Sequence, residues 1–229
     1  MYSNKIKDII IASRPHHLSK NFLLFIPMVF SHQINHEIIF IIVKAFFSFS
    51  LVASGVYIIN DLHDVKSDRL DKQKRKRPFA SKKVSPKIGY ITAIFLLFIG
   101  FILSYTLNEN FLLITLFYFF LTTLYTFFIK KILVLDLLTL AILFTSRIIA
   151  GGLAAEIEVS IWLLTFSLFF FFSMAAIKRQ AEIKFLNKKM TNKIIGRDYI
   201  VKDLPVLILI SFTSAMVSIV ILVLYLNSE

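Results

Sequence analysis

Asp61, Asp64 and Asp68 are spaced i, i+3 and i+7 within the stretch NDLHDVKSDRLDKQKRKRP, residues 60 to 78. On a helix this spacing puts all three carboxylates on one face. Tyr57 and Asp71 fall on the same stripe, while Lys66, Arg69 and Lys72 point elsewhere. A helix face that is merely solvated mixes its charge signs at i, i+4. Like charges at these spacings cost roughly 0.2–0.5 kcal/mol per pair, so a group outside the helix must offset the repulsion. A divalent cation does so, and carboxylates together with the oxygens of a phosphorylated substrate are common Mg²⁺ ligands. The stretch therefore implies a Mg²⁺ site with Asp61, Asp64 and Asp68 as ligands and catalytic groups, and a diphosphate as the bound anion. Asn60 and Asp61 also stand at the edge of an apolar run, where polar groups are costly and tend to be functional.

Four further groups surround this face. Lys74-Arg75-Lys76-Arg77-Pro78 is either a basic anchor or a diphosphate clamp, with Arg75 and Arg77 as donors to phosphate oxygens. On composition alone the anchor is the commoner case, and only the nearby aspartates favour the clamp. Arg14-Pro15 with Lys20-Asn21 lies at the mouth of the first apolar run. Its cations fit an interfacial anchor or a holder for a lipid phosphate. Tyr125, Lys130, Lys131 and Asp136 flank a tight turn, and Asp136 enters an apolar run directly. Arg147 lies deeper in that run, near its far end, and reads as a side chain that snorkels outward. Lys178-Arg179-x-x-Glu182 fits a local ion pair between Lys178 and Glu182, or a site element in which Glu182 adds an oxygen ligand.

The elements that carry these groups belong in a bilayer. The 229 residues are 57% apolar, include 25 Phe and have a mean hydropathy of +0.76. Soluble domains rarely reach such values. Apolar runs near the length needed to cross a bilayer fall at 21–33, 38–59, 87–106, 111–128, 132–151, 159–177 and 204–226. Of the 26 Lys and Arg, all but Lys44 and Arg147 lie before the first run, in 61–87, at 130–131 or in 178–202. With seven spans these segments fall on one side, and the positive-inside rule makes that side the cytoplasm. The reading is one domain over 1–229, integral to the cell (inner) membrane, with its active site facing the cytoplasm. Lys83 and Lys188 then lie inside and Asn108 outside. The net charge of +12 follows from this topology and is not a nucleic-acid footprint. The chain has no cysteine, which excludes disulfides and thiolate chemistry.

Asn60-Asp61-x-x-Asp64-x-x-x-Asp68-Arg69 followed by Lys74-Arg75-x-Arg77-Pro78 resembles the signature of the UbiA superfamily of intramembrane prenyltransferases. Arg14-Pro15, Lys20-Asn21, Tyr125-x-x-x-x-Lys130, Leu135-Asp136, Arg147-x-x-Ala150-Gly151-Gly152 and Lys178-Arg179-x-Ala181-Glu182 resemble one branch, the decaprenyl-phosphate phosphoribosyltransferases. The resemblance implies an all-α polytopic bundle and transfer of 5-phosphoribose from phosphoribosyl diphosphate to a polyprenyl phosphate. It also implies Mg²⁺ on Asp61, Asp64 and Asp68. Substrate contacts are implied for Lys20, Asn60, Arg75, Arg77, Tyr125, Lys130, Lys178, Arg179 and Glu182. The aromatic prenyltransferases of the superfamily carry a second D-x-x-x-D motif where this chain has Lys178-Arg179-x-x-Glu182. That departure favours the phosphoribosyl branch, with a prenyl-diphosphate enzyme as the alternative. Relatives have His-Pro in place of Asp71-Lys72, which leaves Asp71 outside the expected site. They also have about nine spans against about seven here, so a shortened, inactive remnant is a third expectation. A homo-oligomer is left open.

Overall fold

The computed structural model describes residues 2–187 and 198–227, so Lys188 lies outside the described residues. Six helices among the described residues are long and apolar enough to cross a membrane. They are α3 (His36–His63), α5 (Pro86–Tyr105), α6 (Glu109–Phe127), α7 (Leu133–Ala155), α8 (Ile161–Asn187) and α9 (Leu204–Leu226). Two short helices, α1 (Tyr2–Ala12) and α2 (Ile26–Phe30), precede them, and α4 (Val65–Leu70) follows α3. The all-α bundle that the resemblance implied is the fold observed.

Caps set several of the boundaries. The side chain of Asn35 accepts from the Ile38 amide at 2.8 Å, and that of Asn108 accepts from the Phe111 amide at 2.7 Å. Each satisfies an amide that the first helical turn leaves without a partner. The Asn108 amide also donates to the Leu153 carbonyl at 2.9 Å, tying the start of α6 to the end of α7. Ser85 and Pro86 begin α5 in the same way, by a side-chain cap and a proline in the first turn.

The first expected span, 21–33, takes a different form. Residues Pro15–Phe25 are a 3₁₀ helix, and α2 completes the passage. A 3₁₀ helix rises about 2.0 Å per residue against 1.5 Å for an α-helix. Residues 15–30 therefore cover roughly 30 Å, the thickness of a hydrocarbon core. The contacts agree with that reach. Arg14 meets Asp61 at one end, Asn21 donates to the Ser50 hydroxyl at 2.9 Å midway, and Met28 packs with Ile42 and Ile157 at the other end. Gly151 on α7 makes the close approach possible, because a Cβ there would lie 2.0 Å from the Leu24 carbonyl oxygen.

Between helices, small and hydroxylated residues make the close contacts. Ser48 donates to the Gly100 carbonyl at 2.9 Å and lies 2.8 Å from the Ser104 hydroxyl, joining α3 to α5. Ser173 donates to the Ser211 carbonyl, and Gln180 to the Leu207 carbonyl, joining α8 to α9. In lipid there is little hydrophobic drive between helices, so such packing and hydrogen bonding hold the bundle. Large apolar side chains such as Phe40, Phe95, Phe98, Phe120 and Phe212 face outward. Lys44 ends its reach on the Thr106 carbonyl at 3.2 Å, at the end of α5.

Candidate active site

The three aspartates do not share one continuous helix. The backbone leaves α-geometry at Asp64, which ends α3 and precedes α4. Helical hydrogen bonding runs on across the break, from the Asp64 amide to Asn60 and from the Asp68 amide to Asp64. The carboxylates therefore stay at one end of the bundle. Asp61 and Asp68 are 2% and 3% exposed.

Each carboxylate is held by a cation from a different segment. Arg14 donates to both oxygens of Asp61. Arg77 places one nitrogen 3.2 Å from Asp61 and 2.7 Å from Asp68. Lys130 donates to Asp64 at 2.5 Å. The repulsion inferred from the sequence is thus offset by the chain's own basic residues. Arg14 does this from a left-handed backbone, φ 52° and ψ 58°, just before a proline. That conformation is strained for a residue with a Cβ, and such strain clusters at functional sites. Burial pushes the Asp68 carboxyl above its ordinary value, and the Arg77 guanidinium pulls it back down.

Hard divalent cations take all-oxygen donor sets, and these carboxylates provide one. Asp61 and Asp68 already converge on a single cationic nitrogen, so the pair fits a metal ion at that place. Asp64 turns instead to Lys130, and among the described residues no three acidic or histidine side chains stand together as a metal cluster. Asp71 caps the turn at Gln73 and Lys74, accepting from their amides at 2.8 and 3.0 Å. Arg75 is exposed on the Lys74–Lys76 turn and is not brought to the aspartates.

A cavity of about 120 Å³ opens beside Asp61, lined by Arg14, Lys20, Tyr57, Asn60, Tyr125 and Arg147 among others. Arg147 corrects the sequence reading. It does not snorkel, and at 3% exposure it is buried inside the bundle. Its guanidinium donates to Asn21 at 3.1 Å, to the Tyr118 hydroxyl at 3.0 Å and to the Leu143 carbonyl. The rings of Tyr118, Phe144 and Phe49 surround it. An arginine held this way can fix the 3₁₀ segment against α6 and α7.

Arg179 is likewise internal. It donates to Asp136 at 2.6 and 3.2 Å and to both oxygens of Glu182 at 2.8 Å. Asp136, fully buried, also accepts from Tyr125 and Tyr199 at 2.7 Å each. Glu182 pairs with Arg179, whereas the sequence suggested Lys178. This network joins α6, α7, α8 and the segment entering α9. Lys178 is exposed one residue away, within electrostatic range of Lys20. Sequence reasoning passed over Tyr118 and Tyr199, and it named Asn21 and Arg147 in motifs without giving either a place in the site. The signal for Arg147 was an ionisable group inside an apolar run, which by default marks function.

These features define an integral membrane protein, a helical bundle with its charged groups gathered at one end. The chain belongs to the UbiA prenyltransferase family, whose model matches residues 22–228. It is 36% identical over 214 residues to nodulation protein NoeC of Azorhizobium caulinodans, covering 93% of this chain and 70% of that protein. It is 35% identical over 186 residues to the decaprenyl-phosphate phosphoribosyltransferase of Mycolicibacterium smegmatis, covering 79% of this chain but 58% of that enzyme. A UbiA homolog from Archaeoglobus fulgidus, solved bound to GPP and Mg²⁺, superposes with a TM-score of 0.76 at 17% identity, over 93% of this chain and 76% of that one. That likeness shows the fold.

Proposed function

We propose that this chain transfers 5-phosphoribose from phosphoribosyl diphosphate to a polyprenyl phosphate, releasing diphosphate, at the cytoplasmic face of the inner membrane. The observation that carries the reading is the 35% identity with an enzyme named for that transfer. The second polar segment supports it. Arg179 and Glu182 stand there, and Arg179 is locked onto Asp136, so among the described residues the segment shows no cluster of carboxylates for a second metal.

Asp61 and Asp68, with Asp64 after release from Lys130, would hold Mg²⁺. The bound metal supplies charge neutralisation for a leaving diphosphate. Arg14, Arg77 and Lys130 carry donors already within reach of the carboxylates, and these can turn to phosphate oxygens. Asn60 and Tyr125 line the adjoining cavity and orient the sugar. The bond from the anomeric carbon to the diphosphate oxygen breaks, and its electron pair leaves with the diphosphate. An oxygen of the lipid phosphate forms the new bond from the opposite side. That oxygen is already anionic, so no side chain has to remove a proton.

Purified protein given Mg²⁺, phosphoribosyl diphosphate and a polyprenyl phosphate should yield a phosphoribosylated lipid and free diphosphate. Product from a prenyl diphosphate and an aromatic acid instead would move the chain to the aromatic branch. No product with either donor would favour an inactive protein.

A further inference from the structure

We propose that α1 docks on an anionic lipid surface, lying along the leaflet at the aspartate end of the bundle. With 11 residues it is about 16 Å long, roughly half of what a crossing of the hydrocarbon core needs. It must therefore lie along the membrane edge or stand in water. Its packing decides the level. Ala12 is clustered with Ile58, Phe79 and Val84, and Ile9 packs against the same group. Ile58 stands in the last turns of α3, which ends at His63, and Val84 just precedes Pro86, where α5 begins. Asp8 faces Lys83 at 4.0 Å. α1 thus sits where two membrane-length helices leave the hydrocarbon, at the height of the lipid headgroups.

The side of α1 turned away from the bundle is apolar. Ile6, Ile10 and Ile11 are 61%, 54% and 47% exposed. Isoleucines exposed to that degree on α5, Ile91 and Ile94, belong to a helix that crosses the membrane and meets lipid there. At about 100° per residue, Ile6, Lys7, Ile10 and Ile11 occupy one side of α1, and Asp8, Ile9 and Ala12 the other. Lys7 is exposed among the isoleucines, and among the described residues it has no carboxylate within ion-pair distance. The one acid of α1, Asp8, is on the bundle side. The outward side therefore combines apolar area with a cation and no anion. A surface that is apolar below and negatively charged above matches it. The isoleucines enter the boundary of the acyl chains, and the Lys7 stem runs along them to bring its ammonium to lipid phosphates.

The chain has no cysteine, so single labels report without background. Full-length protein carrying one nitroxide is placed in nanodiscs of phosphatidylglycerol or of phosphatidylcholine. Collisions of the label with oxygen, which concentrates in lipid, and with a neutral nickel chelate, which stays in water, are then measured. Ile94→Cys gives the lipid reference, and Gln73→Cys, on the exposed turn after Asp71, the aqueous one. In phosphatidylglycerol, labels at Ile6→Cys and Ile10→Cys should both show the oxygen-dominated pattern of the Ile94 label. In phosphatidylcholine their oxygen-to-nickel ratio should fall by about twofold or more, and Lys7→Gln in phosphatidylglycerol should produce the same fall.

Ratios like that of the Gln73 label in both lipids would put α1 in water and overturn the proposal. Few collisions with either reagent would mean that protein, such as a second copy of the chain, covers this side, and would overturn it as well. Oxygen-dominated ratios that neither the lipid charge nor Lys7→Gln alters would remove the anionic surface as the partner. None of these outcomes depends on turnover, so failure here is distinct from failure of the proposed function.

Discussion

Asp61 and Asp68 share a single nitrogen of Arg77, at 3.2 and 2.7 Å. Two carboxylates seven residues apart, on either side of a helix break, thus meet around one cation. In the proposed function the same two carboxylates would meet around Mg²⁺. Arg77→Gln removes the shared cation and leaves two buried acids facing each other. Since Arg77 is partly exposed, the loss should be about 2 kcal/mol, below that for a fully buried pair. Thermal melts with and without Mg²⁺ check this. The metal-free variant should melt lower than wild type, and Mg²⁺ should raise its Tm by more than it raises the wild type's. An equal or smaller Mg²⁺ effect would place the metal elsewhere.

Asp61→Asn or Asp64→Asn should abolish Mg²⁺-dependent turnover and leave membrane insertion intact. Either variant with wild-type activity would remove that residue from the metal set. Burial raises the Asp68 carboxyl above its ordinary value. Protons compete with the metal for the ionised form, so Mg²⁺ affinity should fall on acidification. The fall should begin above the ordinary carboxylate range, and a titration of Mg²⁺ binding against pH tests it.

Arg179 and Asp136 form a pair with exposures of 1% and 0%. Removing one partner strands the other charge, at a cost of about 3–5 kcal/mol. Arg179→Gln and Asp136→Asn should each cause a loss of that order. The double variant should lose less than the sum, because both remove the same interaction. Additive losses would show that the pair is not coupled. The resemblance implied a substrate contact for Arg179, and in the bundle its side chain is buried and bonded to Asp136 and Glu182.

Single cysteines at Lys83 and Asn108 should be labelled from opposite sides of the membrane. The native chain has no cysteine, so the background is empty. Labelling of both from one side would break the span order.

Much of the bundle could be read from the chain. Six of the seven long apolar runs became membrane-length helices, because length and composition are local properties. The first span was less legible. Its Leu24 backbone packs closely against Gly151, which lies more than a hundred residues away and leaves room for that approach. At the site, the aspartate spacing was visible, but the identity of each counter-ion was not. Arg14, Arg77 and Lys130 reach the acids only through tertiary packing. Arg147 was misjudged because its depth in an apolar run says nothing about which way it faces. The rings of Phe49, Tyr118 and Phe144 and the hydrogen bonds to Asn21 and Tyr118 show that it points inward.

The central claim is tested most directly by following phosphoribosyl diphosphate labelled in its 5-phosphate. Purified wild-type chain in nanodiscs with Mg²⁺ and decaprenyl phosphate should move the label into the lipid phase and release one diphosphate per transfer. Asp61→Asn should do neither. Label that stays in the aqueous phase with wild-type protein, at the same time as a prenyl diphosphate is consumed, would contradict the account.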